Sequence, residues 1–357
     1  CQYPVPNWDT ALALALGREC INPRPLDQKH IHNITQNYTV GSLSYSEGIN
    51  DDVNKFIWSD QDWDPSTPAE STLRDYGRLF FGAAHADAAA DGLLGLERNW
   101  QGPLAANKGV DETLKVWRRM EAHGSVALRN NYRFQLGLIR AYADAYVRQR
   151  LLNETELEQQ ARHVLAEAKA RGSMAAMAAA ERILEKARRP VARAWRRKCD
   201  DLAEKLFRGI GMQLSVKKYH ALAWNRGAFM DTLDIPLNSA TWLKMQFAEI
   251  RRIPDEAGRL ARIRAMLNRE KSGPGGIYES FGMKGRKGRA VEIPGWEKDP
   301  GHLESPFMAH SVGLFHVPAE ERAKLGGIPL NWISNIHTLY DTPLMLAYDS
   351  LDRRAAY

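Results

Sequence analysis

The sequence predicts a mainly α-helical protein that begins with alternating helices and strands and ends in an irregular, partly β segment. Up to about residue 82, apolar residues at helical spacing alternate with one short strand pattern. From 83 to 270 nearly every stretch has helical spacing, and after 271 Gly and Pro become dense. We therefore predict three parts, at residues 1–82, 83–270 and 271–357.

Length and composition limit the classes of protein to consider. The 357 residues suffice for two or three domains, and a hydrophobic fraction of 44% is ordinary for a globular protein. No apolar run approaches the length of a membrane span, so we predict none. The net charge of +6 is modest and no nucleic-acid-binding signature accompanies the basic runs, so nucleic acid is not predicted as a partner. Both ends read as the interior of domains, which predicts a fragment of a longer protein.

The first part contains the pattern on which the functional hypothesis depends. The stretch YTVGSLSYSEG, residues 38–48, predicts a strand that ends near Glu47. Asn50 is positioned to cap a helix whose first turn holds Asp51 and Asp52, where negative charge suits the helix dipole. A second helix follows, for which we predict Thr67 as the cap and Gly82 as the stop.

The second part shows helix after helix with one apolar face. Separate helices are predicted over 155–171 and 174–189, and a last one from Pro254 to about Asn268. The stripes predicted to be buried are Leu114, Trp117 and Met120, then Phe134, Leu138, Tyr142 and Tyr146, then Trp195, Cys199, Leu202 and Leu206.

Glu47 is the candidate catalytic residue. Leu43, Tyr45 and Glu47 share one face of the predicted strand because side chains alternate along a strand. If the strand belongs to a (β/α)8 barrel, Glu47 lies at the C-terminal rim, where such barrels keep their active sites. A carboxylate there suits glycosidic cleavage. The alternative is a solvated turn residue or a helix-capping acceptor.

A longer motif extends this hypothesis. The run EGINDDV is followed by Trp63, Asp64–Pro65 and a helix that contains Tyr76 and Arg78 and ends in Phe81–Gly82. This pattern resembles the last strand and following helix of glycoside hydrolase family 89, the α-N-acetylglucosaminidases. The stretch YRFQLGLIRAYADAYVRQRL is similar to a helix of the all-helical domain that follows the barrel in that family.

The resemblance implies a function and a fold. It implies that residues 1–82 are the terminal βα units of a (β/α)8 barrel, followed by a helical domain that helps to line the pocket. It implies that Glu47 is the nucleophile of a retaining mechanism, with the acid/base carboxylate on an earlier strand, upstream of this chain, so that the chain alone is expected to be inactive. Ser46 and Gln135 depart from the family's pattern, so a related glycosidase family is the alternative. The family suggests a secreted or periplasmic location.

Further residues are candidates for contacting a carbohydrate substrate. Trp100 offers an apolar face for a sugar ring, and the amides of Asn99 and Gln101 offer donors and acceptors for hydroxyls. The alternative for Trp100 is a plug at the helix junction. The substrate-binding candidates near Glu47 are Tyr45, Asn50 and Asp51.

No metal or cofactor is predicted. His30 and His32 have no third ligand at metal-binding spacing, and Cys1, Cys20 and Cys199 are far apart. A second functional hypothesis is a non-catalytic helical module that binds a carbohydrate or an anion through Trp100 and the basic loop MKGRKGRA.

Overall fold

A computed structural model describes residues 23–41, 51–99, 104–189, 191–221, 229–234 and 240–268, and the backbone of residues 290–293 and 345–348. This part of the chain is mainly helical, as predicted. The helices are α1 Pro25–Thr35, α2 Asp51–Trp63, α3 Ala69–Phe80, α4 Ala86–Arg98, α5 Gly109–His123, α6 Val126–Asn130, α7 Tyr132–Ala166, α8 Ala168–Arg171, α9 Ser173–Leu184, α10 Arg193–Ile210, α11 Val216–Tyr219, α12 Phe229–Thr232, α13 Ala240–Arg251 and α14 Glu256–Leu267.

The described residues fall into two compact units. The first contains residues 23–41, 51–99, 104–149, 192–221 and 229–233. The second contains 150–189 and 240–268, together with the two strands described below. Helix α7 contributes its first half to one unit and its second half to the other. Residues on both sides of the predicted boundary between 82 and 83 belong to the first unit. The roles predicted for the three parts of the sequence stay predictions.

Several local expectations are corrected by the structure. Helix α1 begins at Pro25, because proline suits the first turn of a helix. Tyr38 ends a 3-10 turn rather than starting a strand, and residues 39–41 are not in a strand either. The remainder of the predicted strand lies outside the described residues.

Two helix boundaries also differ from the prediction. Thr67 does not cap α3, since the residue before the helix is Pro68 and the Thr67 carbonyl instead accepts hydrogen bonds from Lys29 and Gln61. Helix α7 continues to Ala166 through the polar stretch that was expected to interrupt it. Within that stretch Glu154 is buried and forms an ion pair with Arg150 one turn earlier, at 2.5 Å, so its charge is compensated inside the helix.

The core of the first unit is built around Trp117 of α5. Its side chain is completely buried, and its indole N–H donates to the carbonyl of Gly92 in α4 at 3.1 Å. Phe134 of α7 lies 5.6 Å from Trp117 between ring centroids. The predicted stripes are confirmed as buried: Leu114, Trp117, Met120, Phe134, Leu138, Tyr142, Tyr146, Cys199, Leu202 and Leu206. Trp195 is the exception, because it is only half-buried.

Gly137 determines how closely α7 approaches Trp117. A methyl group at this position would lie 2.0 Å from the Cη2 atom of the indole, far inside van der Waals contact. We expect Gly137→Ala to lower the free energy of unfolding by about 3 kcal/mol, because both α7 and Trp117 are held by other core contacts. Chemical denaturation measures this change.

Gly209 of α10 provides the matched control. A methyl group there would meet no atom within 4 Å. Gly209→Ala is therefore expected to raise stability by up to about 1 kcal/mol through helix propensity. Equal effects of the two substitutions would contradict the close packing of α7 on Trp117.

Charged side chains link helices of the second unit through hydrogen bonds and an ion pair. Glu256 of α14 accepts hydrogen bonds from the backbone N–H and the hydroxyl of Ser173, at 2.7 and 2.6 Å, and so caps α9. These bonds, aided by Arg259, lower the pKa of Glu256 to about 2. Arg251 of α13 donates to both carboxylate oxygens of Glu181 in α9, at 2.9 and 2.6 Å. Helices α9, α13 and α14 are thereby linked to one another by charged groups.

Two short strands are described by their backbone. Residues Ala290–Ile293 pair in parallel with residues Met345–Tyr348. The rest of the predicted C-terminal segment, 271–357, lies outside the described residues, so its predicted organisation stays a prediction. Among the helices that the structure describes, none has the length and apolar character needed to span a membrane.

Candidate functional site

Three helices meet at Asp52, in the first turn of α2. Arg133 of α7 donates through Nε to Asp52 Oδ2 at 2.5 Å, and the hydroxyl of Tyr76 in α3 donates to Asp52 Oδ1 at 3.0 Å. Both carboxylate oxygens are therefore engaged. Asp52 and Arg133 each expose 23% of their side chains. We name Asp52, Tyr76 and Arg133 the Asp52 brace.

Aromatic rings and a helix cap hold Arg133 in place. Its guanidinium lies 4.0 Å from the ring centroid of Phe80 and 4.5 Å from that of Tyr132. The side-chain oxygen of Asn131 accepts from the backbone N–H of Arg133 at 2.9 Å, and its amide nitrogen donates to the carbonyl of Phe80. The cap therefore links the start of α7 to the end of α3.

Tyr76 and Arg133 of the Asp52 brace keep their protons at neutral pH. Burial, followed by the nearby Asp52 carboxylate, raises the pKa of Tyr76, which therefore stays a neutral hydrogen-bond donor. Burial alone would lower the pKa of Arg133, but the hydrogen bond and charge of Asp52 outweigh it and the net change is upward. The brace thus joins a guanidinium and a neutral phenol to the side chain of Asp52.

Most of the residues predicted around Glu47 lie outside the described part. Tyr45, Glu47 and Asn50 belong to residues 42–50, which the structure does not describe. Asp51 begins α2, as predicted, but its side chain is not described. Glu47 precedes Asp52 by five residues in the sequence.

Asn99, a predicted substrate contact, lies in a buried polar cluster. Only 3% of it is exposed, and its amide nitrogen donates to Asp144 Oδ2 of α7 at 2.8 Å. The other oxygen of Asp144 pairs with Arg140 Nε at 2.7 Å. Burial raises the pKa of Asp144, while Arg140 and Asn99 oppose the rise. The Oδ1 atom of Asn99 has no hydrogen-bond partner among the described residues, and its role in binding stays a prediction.

The next turn of α7 contacts the chain again, on the C-terminal side of residues 100–103. Arg148, one turn after Asp144, donates to the carbonyls of Leu104 and Ala105 at 3.2 and 3.1 Å and to the carboxylate of Asp111 at 3.0 Å. The chain is thus held at residue 99 and again at 104–105 by adjacent turns of one helix. Trp100 and Gln101 lie between these points, outside the described residues.

The histidine and cysteine residues do not form a site in the described part of the chain. His32 is buried, with its Nε2 atom 2.9 Å from Asp62 Oδ1 and its Nδ1 atom 3.0 Å from Asn33 Oδ1. His30 is exposed. Cys199 is a buried thiol. No group of three or more side chains of metal-binding type comes together within the ranges that are described.

No protein-family model, curated protein or solved structure matches the chain. Function is therefore inferred from its own residues. The sequence interpretation placed Asp52 in the first turn of a helix and overlooked Arg133, Asp144 and Arg148. One signal was present in the sequence: Arg140, Asp144 and Arg148 recur every four residues, a spacing that places opposite charges next to each other on one face of a helix.

Proposed function

We propose that the chain is part of a retaining glycoside hydrolase in which Glu47 is the nucleophile. The proposal starts from the resemblance of the EGINDDV region to glycoside hydrolase family 89. The observation from the structure that best supports it is the Asp52 brace, five residues after Glu47. The carbohydrate that is cleaved and its linkage are left open.

The brace meets a requirement of nucleophilic catalysis. A nucleophile acts efficiently only when its support holds it close to the attacking geometry, because small displacements cost large factors in rate. An ion pair with restricted access to water contributes little net stability, since desolvation offsets most of the attraction. A role in fixing the first turn of α2, which begins four residues after Glu47 in the sequence, would give Asp52, Tyr76 and Arg133 a reason to meet from three helices.

The proposed reaction proceeds in two steps. The Glu47 carboxylate attacks the anomeric carbon while the glycosidic C–O bond breaks, and a second carboxylate protonates the departing oxygen. The same second carboxylate then removes a proton from water, which displaces Glu47 and releases the sugar. The barrel resemblance assigns this second carboxylate to an earlier strand.

Covalent trapping tests the assignment of Glu47. We expect fluorinated glycosyl fluorides, incubated with the full-length protein, to label Glu47, because fluoride leaves without protonation and the fluorinated sugar slows release. Peptide mass spectrometry locates the label. Labelling of another carboxylate would contradict the proposal. So would the absence of any label across a panel of glycosyl fluorides. A known retaining glycosidase, labelled under the same conditions, is the positive control.

The second candidate function is a non-catalytic module that binds a carbohydrate. It is favoured by the loop between Asn99 and Leu104, which Asp144 and Arg148 hold at both ends. The two candidates differ in one measurement, because a binding module retains its affinity for sugar but leaves every carboxylate unlabelled.

A further inference from the structure

A groove between α4 and α5 in the first unit has no role in the proposed reaction. Its volume is about 660 Å³, within the range of small-molecule sites. Gly95 and Thr113 lie at the contact of the two helices, where even a methyl group on Gly95 would come within 2.6 Å of the Thr113 hydroxyl. The polar side chains that line the groove are Asp91, Arg98, Asn107 and Glu112.

The walls of the groove are held in place without a ligand. The side chain of Asn107 donates to the carbonyl of Arg98 at 2.9 Å and accepts from the N–H of Gly109 at 3.0 Å. Arg148, 7% exposed, holds the preceding residues Leu104 and Ala105. The groove is therefore formed before anything binds, which reduces the entropic cost of binding.

Two exposed charged side chains line the groove, Asp91 and Arg98. Neither the carboxylate of Asp91 nor the guanidinium of Arg98 has a side-chain or backbone partner within the described ranges. Glu112, by contrast, pairs with Lys115 at 2.6 Å. Asp91 and Arg98 are seven residues apart on α4, which places them on one face with a separation of about 10 Å along the axis.

The charges of the groove favour a ligand without net charge. An anion would meet the unpaired carboxylate of Asp91, and a cation would meet the unpaired guanidinium of Arg98. A neutral ligand with many hydroxyls satisfies both groups, because hydroxyls donate to a carboxylate and accept from a guanidinium. The separation of Asp91 and Arg98 suits two linked sugar rings better than a single small ion.

We propose that this groove binds a neutral oligosaccharide, with Asp91 and Arg98 as its two polar anchors. The choice of a carbohydrate rests on the proposed function, but the groove lies in the helices that follow the predicted barrel. It is an additional binding site for the glycan chain, built from residues other than the proposed nucleophile.

Binding of two neutral disaccharides to the 357-residue chain tests the proposal. The chain alone is expected to be inactive, and Glu47→Gln in every sample excludes any residual consumption of the sugar. Titration calorimetry with cellobiose and N,N′-diacetylchitobiose is expected to show saturable binding of at least one. Asp91→Ala and Arg98→Ala should each weaken it by about tenfold or more, the usual effect of losing a hydrogen bond to a charged group.

Asp201→Ala and Arg119→Ala are the matched controls. They remove the same charges from exposed helical positions that do not line the groove, and they should leave the affinity unchanged. The absence of binding, or equal affinities in all variants, would overturn the proposal. Tighter binding of inorganic phosphate or of glucosamine would overturn the neutral class of ligand. Binding that requires Asp91 and Arg98 stands even if Glu47 is never labelled, so this test and the test of the nucleophile fail independently.

Discussion

Glu47→Gln in the full-length protein is expected to lower the turnover of an activated aryl glycoside by about 10³-fold or more, with binding of the sugar nearly unchanged. The amide has the shape of the carboxylate but cannot form the glycosyl-enzyme, so the loss falls on kcat. Steady-state kinetics on the variant and the parent protein measure the two parameters separately.

A rescue experiment separates a nucleophile from a residue that merely supports the fold. Glu47→Ala leaves room for a small anion, and added azide should restore turnover with formation of a glycosyl azide of inverted configuration. Glu70→Gln changes an exposed carboxylate in the first turn of α3 and serves as the control, with activity expected to stay at the parent level. Turnover by Glu47→Gln at the parent rate would end the enzyme hypothesis.

Asp144→Ala is expected to lower the free energy of unfolding by about 3–5 kcal/mol. The substitution removes a fully buried carboxylate that pairs with Arg140 and accepts from Asn99, and both donors stay buried. Breaking one side of a buried ion pair is costly because the remaining charge has lost its water as well as its partner. Urea denaturation measures the change, and hydrogen exchange of the amides in α4, α5 and α7 shows where the structure opens.

Two comparisons make this prediction specific. Asp201→Ala removes an exposed carboxylate from α10 and should change stability by less than about 0.5 kcal/mol. The double variant Arg140→Met with Asp144→Leu replaces both charges by apolar groups and should be closer to the parent protein than Asp144→Ala. If the double variant is the less stable of the two, the cost does not come from an uncompensated buried charge.

The sequence predicted helices far better than it predicted their ends or their partners. The stripe of Phe134, Leu138, Tyr142 and Tyr146 is buried as expected, because periodicity along one helix reports directly on its apolar face. The same helix was divided in two near residue 153, because a polar run looks like a connection when the ion pair of Arg150 with Glu154 is not visible.

The candidate site was harder to predict for a related reason. Asp52 was recognised as belonging to the first turn of α2, and this local assignment is confirmed. Its engagement by Arg133 was not foreseen, since charge near a helix N-terminus already has a sufficient local explanation. Glu47 itself lies outside the described residues, so its catalytic role stays a prediction.

By itself, the sequence determined that the chain is mainly helical, which helical faces are buried, and that a Glu-Gly-Ile motif precedes α2. Only the tertiary structure decided that Asp52 meets Tyr76 and Arg133, that Asn99 meets Asp144, and that Asp91 and Arg98 line one groove. These contacts join residues 24, 81 and 45 positions apart in the first three cases. Helical periodicity is a local property of neighbouring residues, whereas contacts at such separations depend on how whole helices pack against one another.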